Sequence, residues 1–87
     1  MGDVGLVYKV TVEDQDDLSR IEEDLKKIDC AKLQWIKRAP FVFGTELIQV
    51  AYVIPDKVDG AMDKVEAFIE SIKGVSSFNN ESMTLVS

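Results

Sequence analysis

The chain has 87 residues, 46% of them hydrophobic, with ten basic and sixteen acidic side chains for a net charge of −6. That length provides for one domain, residues 1–87, with a single two-layer core and no room for a second. The acidic balance excludes a general nucleic-acid binder. Phosphate affinity comes from clustered Lys and Arg, and here only Lys26-Lys27 and Lys37-Arg38 are adjacent.

The residues that carry most chemistry are missing. With no histidine there is no imidazole to act as base, proton shuttle or metal ligand. A lone cysteine, Cys30, excludes an intramolecular disulfide, suits a reducing compartment and reads as a packing residue. The acids at residues 13–17 and 22–24 lack the Asp-x-Asp-x-Asp-Gly pattern of a calcium loop, so they read as helix caps and solubilising charge. The five glycines are scattered and form no phosphate loop. An enzyme active site, a cofactor and a metal are therefore not expected; binding is. No apolar run approaches ~18 residues, and Met1-Gly2-Asp3-Val4 lacks the basic start of a secretory signal. The expected compartment is the cytoplasm, with no membrane.

Along the chain, residues 4–12 alternate. Leu6, Tyr8, Val10 and Val12 share one face, and Val7, Lys9 and Thr11 the other, the pattern of a half-buried strand. Residues 13–17 break the alternation with acids that supply N-caps and suit the positive end of a helix dipole. Leu18, Ile21, Leu25 and Ile28 then form one helical stripe. Glu22→Lys26 and Glu23→Lys27 lie off it as i,i+4 pairs in the favourable order.

Residues 31–37, with Leu33, Trp35 and Ile36, read as a short second strand. Pro40 cannot donate to a ladder and belongs at an edge, which the charges of Lys37 and Arg38 also suit. Residues 47–54 are apolar and largely β-branched except for Gln49, as befits a strand at the middle of a sheet. A loop at residues 56–60 follows, with Asp59 or Asp63 near the start of a second helix. That helix carries the stripe Met62, Val65, Phe68, Ile69 and Ile72, and Lys73-Gly74 closes it. Residues 75–86 form a last strand, polar in its middle, whose alternation is clearest at Met83 and Leu85.

The order strand, helix, strand, strand, helix, strand predicts an α+β, ferredoxin-like βαββαβ sandwich. Its four-stranded antiparallel sheet would carry both helices on one face and the first and third strands at the centre. The other face is left uncovered, so a binding surface is expected there or at a sheet end. RNA-binding modules of this topology use exposed aromatics on the third strand, for which Tyr52 is the one candidate, but the basic setting is missing.

One stretch is out of character. Pro40-Phe41-Val42-Phe43-Gly44 places two aromatics at the mouth of a hairpin, where backbone normally needs water and polar residues. Either the two rings fold back onto the core, or they form an apolar wedge offered to another protein.

This run, leading into a buried strand and Ile54-Pro55-Asp56, resembles the exchange domain of the translation elongation factor 1-beta family. Leu33-Gln34-Trp35 is similar to its Leu-Val-Trp, Ile48-Gln49-Val50 to its Leu-Gln-Ile and Val53-Ile54 to its paired valines. Gly74-Val75-Ser76-Ser77 is similar to its Gly-Val-x-Ser opening of the last strand. The compact Pro-Phe-Val-Phe-Gly is closer to the archaeal Pro-x-x-Phe-Gly.

The resemblance implies a guanine-nucleotide exchange factor that helps the aminoacyl-tRNA-delivering elongation GTPase release GDP. On that mapping Phe43 is the wedge, and Pro40, Phe41 and Gly44 shape its hairpin. Lys37 and Arg38 lie near enough to face acidic groups on the partner. The last strand would approach the magnesium and phosphate site, with Thr84 and Leu85 as candidates by position. In members from nucleated cells a lysine ends that strand; aligned from Val75, its place falls at Leu85, and no basic residue follows Lys73. The alternatives are a regulatory small-molecule domain of the same topology, or a plain protein-interaction module.

Overall fold

The computed structural model describes residues 2–29, 31–55 and 60–86, so Cys30 and most of the loop expected at residues 56–60 lie outside the described residues. β1 (Asp3–Val12) leads through a 3-10 turn (Gln15–Asp17) into α1 (Leu18–Leu25). β2 (Lys32–Pro40), a second 3-10 turn (Val42–Gly44) and β3 (Glu46–Pro55) form a hairpin. α2 (Ala61–Ser71) and β4 (Val75–Val86) complete the chain. All pairings are antiparallel and the sheet order is β2-β3-β1-β4, which puts the first and third strands at the centre as the α+β ferredoxin-like arrangement requires.

The register explains why those two strands are the most apolar. Leu6 opposes Tyr52, Tyr8 opposes Val50 and Val10 opposes Ile48, and all six are fully buried against both helices. Leu18, Ile21 and Leu25 of α1 and Ala61, Val65 and Ile69 of α2 supply the other layer. Burying each large aliphatic side chain contributes about 1.5–3 kcal/mol relative to exposure. Leu47 and Ala51 lie on the other face and are also buried, whereas Gln49 and Val53 beside them are only half-buried, so that face of β3 stays partly open.

Two tyrosines lie within this core, and each hydroxyl has a partner. Tyr52 donates to the Leu25 carbonyl at 2.6 Å, satisfying an acceptor that the end of α1 would otherwise leave open. Tyr8 donates to Glu66 Oε2 at 3.1 Å. Burial, then the charge of Glu66, pushes the Tyr8 phenol above its ordinary value. Tyr52 is 0% exposed, so the one aromatic that a base-stacking surface on this strand could have used is inside.

α1 is shorter than its apolar spacing predicts. It ends at Leu25, and Ile28 reaches the core from the segment beyond. Lys26 and Lys27 fall in the closing turn and so pair at i,i+3 with Glu23 (3.5 Å) and Asp24 (3.6 Å), instead of forming the predicted i,i+4 pairs. No described helix is long and apolar enough to cross a membrane.

Arg20 ties α1 to the turn between α2 and β4. Its guanidinium donates to the Lys73 carbonyl at 2.7 Å and pairs with Asp17 (3.4 Å) and Asp24 (3.2 Å). Gly74 makes this approach possible: its φ is +98°, and a Cβ there would lie 2.8 Å from Arg20 Nη2 and 3.2 Å from Ile21 Cδ1. Gly74→Ala is expected to destabilise the protein by about 1–2 kcal/mol, from left-handed strain and loss of the Arg20 contact. Urea unfolding of the two proteins measures this directly, and equal midpoints would count against it.

Candidate partner-binding site

The β2–β3 hairpin extends past the rest of the sheet. β1 pairs with β3 only as far as Val10↔Ile48, whereas β2 continues for two more rungs, Ala39↔Leu47 and Pro40↔Glu46. Beyond them the turn closes on three bonds. Phe41 N–H donates to the Thr45 carbonyl at 2.8 Å, and Val42 C=O accepts from Thr45 N–H at 3.0 Å and from Thr45 Oγ1 at 2.6 Å.

This closure forces two consecutive residues into left-handed backbone, Phe43 at φ 55° and Gly44 at φ 75°. Glycine occupies that region freely, whereas an L-residue there costs about 1–2 kcal/mol. The consequence is visible in the side chain: Phe43 is 100% exposed, with Val42 at 54% and Phe41 at 45% beside it. Of the two readings of this stretch, the apolar tip that stands clear of the core is the one the structure contains. The strained backbone opposes folding, and the fully exposed ring contributes no burial to offset it.

The other expected site residues are arranged differently. Pro40 closes the last rung of β2, on the outer edge of the sheet, where its missing N–H does least harm. Lys37 and Arg38, adjacent in sequence, diverge to opposite faces. Arg38 points to the helices, where its Nε donates to Glu22 Oε2 at 3.3 Å and its Nη2 to Ser19 Oγ at 2.9 Å. Its charge is thus paired within the molecule, although the side chain stays exposed. Lys37 lies on the open face with its ammonium 5.2 Å from the centre of the Trp35 ring.

Thr84 and Leu85 are not brought to the hairpin at all. Thr84 opposes Gly5 and Leu85 opposes Val4, and the same β1 residues oppose Val53 and Ile54 of β3. They therefore lie at the far end of the sheet, roughly 25–30 Å from the tip at about 3.3 Å per residue. Leu85 (69% exposed) and Met83 (56%) form a second, smaller apolar surface there.

The open face between the two ends is polar at its centre. Lys9 Nζ lies 2.9 Å from Glu81 Oε2, and Gln49 Nε2 donates to both Glu81 oxygens at 3.0 and 3.3 Å. The Lys9 hydrogen bond and charge, with help from Gln49 and the charge of Lys37, hold the Glu81 carboxyl below the usual glutamate range. Among the described residues there is no group of three or more His, Cys, Asp or Glu able to hold a metal ion.

The sequence that builds this scaffold matches a known family. The family model of the EF-1 guanine nucleotide exchange domain matches residues 6–86. The chain belongs to that family. Elongation factor 1-beta of Thermoplasma acidophilum is 34% identical over 99% of this chain and 100% of its own length. The factor of that name from Methanospirillum hungatei is 34% identical over 99% of this chain and 100% of its own. That from Metallosphaera sedula is 35% identical over 87% of each. Guanine-nucleotide exchange in translation elongation is the function that membership carries.

Set against this exchange-domain family, the sequence reading missed three exposed apolar side chains: Val42, Met83 and Trp35. Val42 was legible as part of the same loop run. Met83 and Leu85 alternate as core residues do, and only the position of α2 leaves them uncovered.

Two expectations follow. Phe43→Gly removes the left-handed strain, partly offset by the greater freedom of glycine in the unfolded chain, so it should raise stability by about 0.5–1 kcal/mol in a denaturant titration. A decrease would mean that the ring has a structural role. Separately, an NMR titration should find Glu81 ionising at lower pH than ordinary glutamates, with Lys9→Met moving it upward. Because this pKa is depressed on folding, the stability it adds is present above the unfolded value and is lost as pH falls through the folded one.

Proposed function

We propose that this chain acts as one exchange domain that promotes GDP release from the elongation GTPase delivering aminoacyl-tRNA, with Phe43 as its principal contact. The observation that carries this reading is the fully exposed Phe43 ring in left-handed backbone at the hairpin tip. The strain opposes folding and the ring adds nothing to the core, and a contact made in the complex offsets both.

The mechanism is one of linkage. A factor that binds the nucleotide-free GTPase more tightly than the GDP form weakens GDP binding by the same factor. Burying one phenylalanine side chain is worth about 1.5–3 kcal/mol, or about 10- to 150-fold in an equilibrium constant. If that burial is available only in the nucleotide-free form, the tip alone supplies a substantial part of the effect. No covalent bond is made or broken, so the protein is not an enzyme in this role. It needs no cofactor and no direct nucleic-acid contact, and the compartment in which it works is the cytoplasm.

Phe41, Val42 and Gly44 complete the tip, and Pro40 stiffens its base. Lys37, on the open face, and Arg38, exposed though paired with Glu22, are the basic residues nearest the tip. At the far end Leu85 occupies the place where the family resemblance puts a lysine, so Thr84, Leu85 and Met83 contribute apolar contact there and no cationic displacement of magnesium.

Stopped-flow release of labelled GDP from the matching elongation GTPase tests this. The intact domain should accelerate release, and Phe43→Ala should reduce the acceleration tenfold or more, about 1.4 kcal/mol, while remaining folded by circular dichroism. No acceleration by the wild-type protein retires the proposal; an unimpaired Phe43→Ala protein moves the contact elsewhere.

A further inference from the structure

The hairpin that carries Phe43 outruns its support. Because β1 stops pairing at Ile48, the backbone of Glu46 has no strand beside it on that side. Its polar groups are nonetheless both engaged. Glu46 N–H donates to Gln15 Oε1 at 2.8 Å, and Gln15 Nε2 donates to the Glu46 carbonyl at 3.0 Å. A primary amide held in this way reproduces the paired donor and acceptor of a strand residue. It also accounts for Pro40 on the opposite side of Glu46: the hydrogen bonds of this rung run to Gln15, so proline's missing N–H goes unused.

Gln15 is itself well anchored. It opens the 3-10 turn that runs into α1, and that turn is tied down by Asp14, whose Oδ1 accepts from Asp16 N–H and whose carbonyl accepts from Asp17 N–H, both at 3.0 Å. α1 grips the other arm of the hairpin through Arg38 on Glu22 and Ser19. The base of the hairpin is thus held on β3 by Gln15 and on β2 by Arg38.

We infer that Gln15 is a positioning residue, whose amide clasps Glu46 so that Phe43 meets the partner at one angle. This rests on the exchange reading above. Gln15 is exposed and outside the core, so its two bonds compete with water and add little to global stability. Their effect is on the hairpin's spread of orientations. A hairpin that is competent for only a fraction of the time binds with an affinity reduced by that fraction.

The test uses Gln15→Ala and Gln15→Glu in the full chain. The second keeps the acceptor for Glu46 N–H but turns a carboxylate oxygen toward the Glu46 carbonyl. GDP release is measured over a concentration series of each protein, with thermal unfolding and 15N relaxation of the hairpin amides alongside. The half-saturating concentration should rise about 3- to 10-fold in both variants. The maximal rate should stay within about twofold, Tm within about 3 °C, and the amides of Phe43, Gly44 and Glu46 should become more mobile.

In a Phe43→Ala background, Gln15→Ala should have little further effect, because the clasp acts through that ring. Three results would overturn the inference: hairpin amides no more mobile than wild type, mobile amides with an unchanged half-saturating concentration, or additivity with Phe43→Ala. If the wild-type protein fails to accelerate release, the exchange reading falls. The relaxation comparison still decides whether Gln15 holds the hairpin.

Discussion

The register of β1 against β3 is the constraint on which the rest depends. A slip of one residue would turn Leu6, Tyr8 and Val10 out of the core while Ile48, Val50 and Tyr52 stayed in it. The β2–β3 register, continued from it across β3, sets Arg38 beside Ile48 on the helix side and Lys37 beside Gln49 on the open side. The β1–β3 register also sets where β1 stops relative to β3, and so how much of the hairpin is left to project. The two buried tyrosines reinforce it, since each hydroxyl meets its partner in one alignment only, Tyr8 on Glu66 and Tyr52 on the Leu25 carbonyl. Either left unpaired in the interior would cost about 1–3 kcal/mol.

Charge is distributed in a way that suits the projecting tip. Residues 13–29 and 60–74 hold eleven of the acids against five bases, whereas the four strands hold four bases and three acids. The negative charge thus belongs to the helical layer, and the sheet is close to neutral. Residues 40–45 carry no charge at all, so a partner covering the tip desolvates apolar atoms and a few backbone groups without stripping water from an ion. The nearest basic residue, Arg38, is already neutralised by Glu22.

Much of this architecture was legible in the sequence because periodicity and the core make the same demand. The alternation in residues 4–12, the unbroken apolar run at 47–54 and the two helical stripes each require one buried face, and together they admit few arrangements. Phe43 was legible for the opposite reason, as an apolar residue where a turn needs none. What escaped was set by lengths and neighbours instead of patterns. α1 stops at Leu25 although its stripe continues to Ile28, because the chain turns there under its own closing bonds. The pairing of Arg38 is another case, because nothing in its own segment shows that Glu22 and Ser19 lie across from it. The clasp by Gln15 joins residues 31 apart in a segment that reads only as a polar cap. Contacts of that kind appear once the fold is known and have no local signature.

On the exchange reading proposed above, the separation of the two exposed apolar clusters bears on how the work would be divided between them. They sit at opposite ends of a molecule 42 Å long, so no single compact contact reaches both. A partner that engages both has to extend along the sheet, and the rigid sheet then allows the second contact to form without a second loss of translational freedom. The two contacts need not do the same work. One that is equally good in the GDP and nucleotide-free forms adds affinity but leaves nucleotide binding unchanged, and only the one that differs between forms drives release. The clasped, strained hairpin is the better candidate for that second role. A rigid wedge fits one arrangement of a partner and is rejected by the other, whereas the flatter surface of Met83 and Leu85, with no strained backbone among its residues, tolerates both.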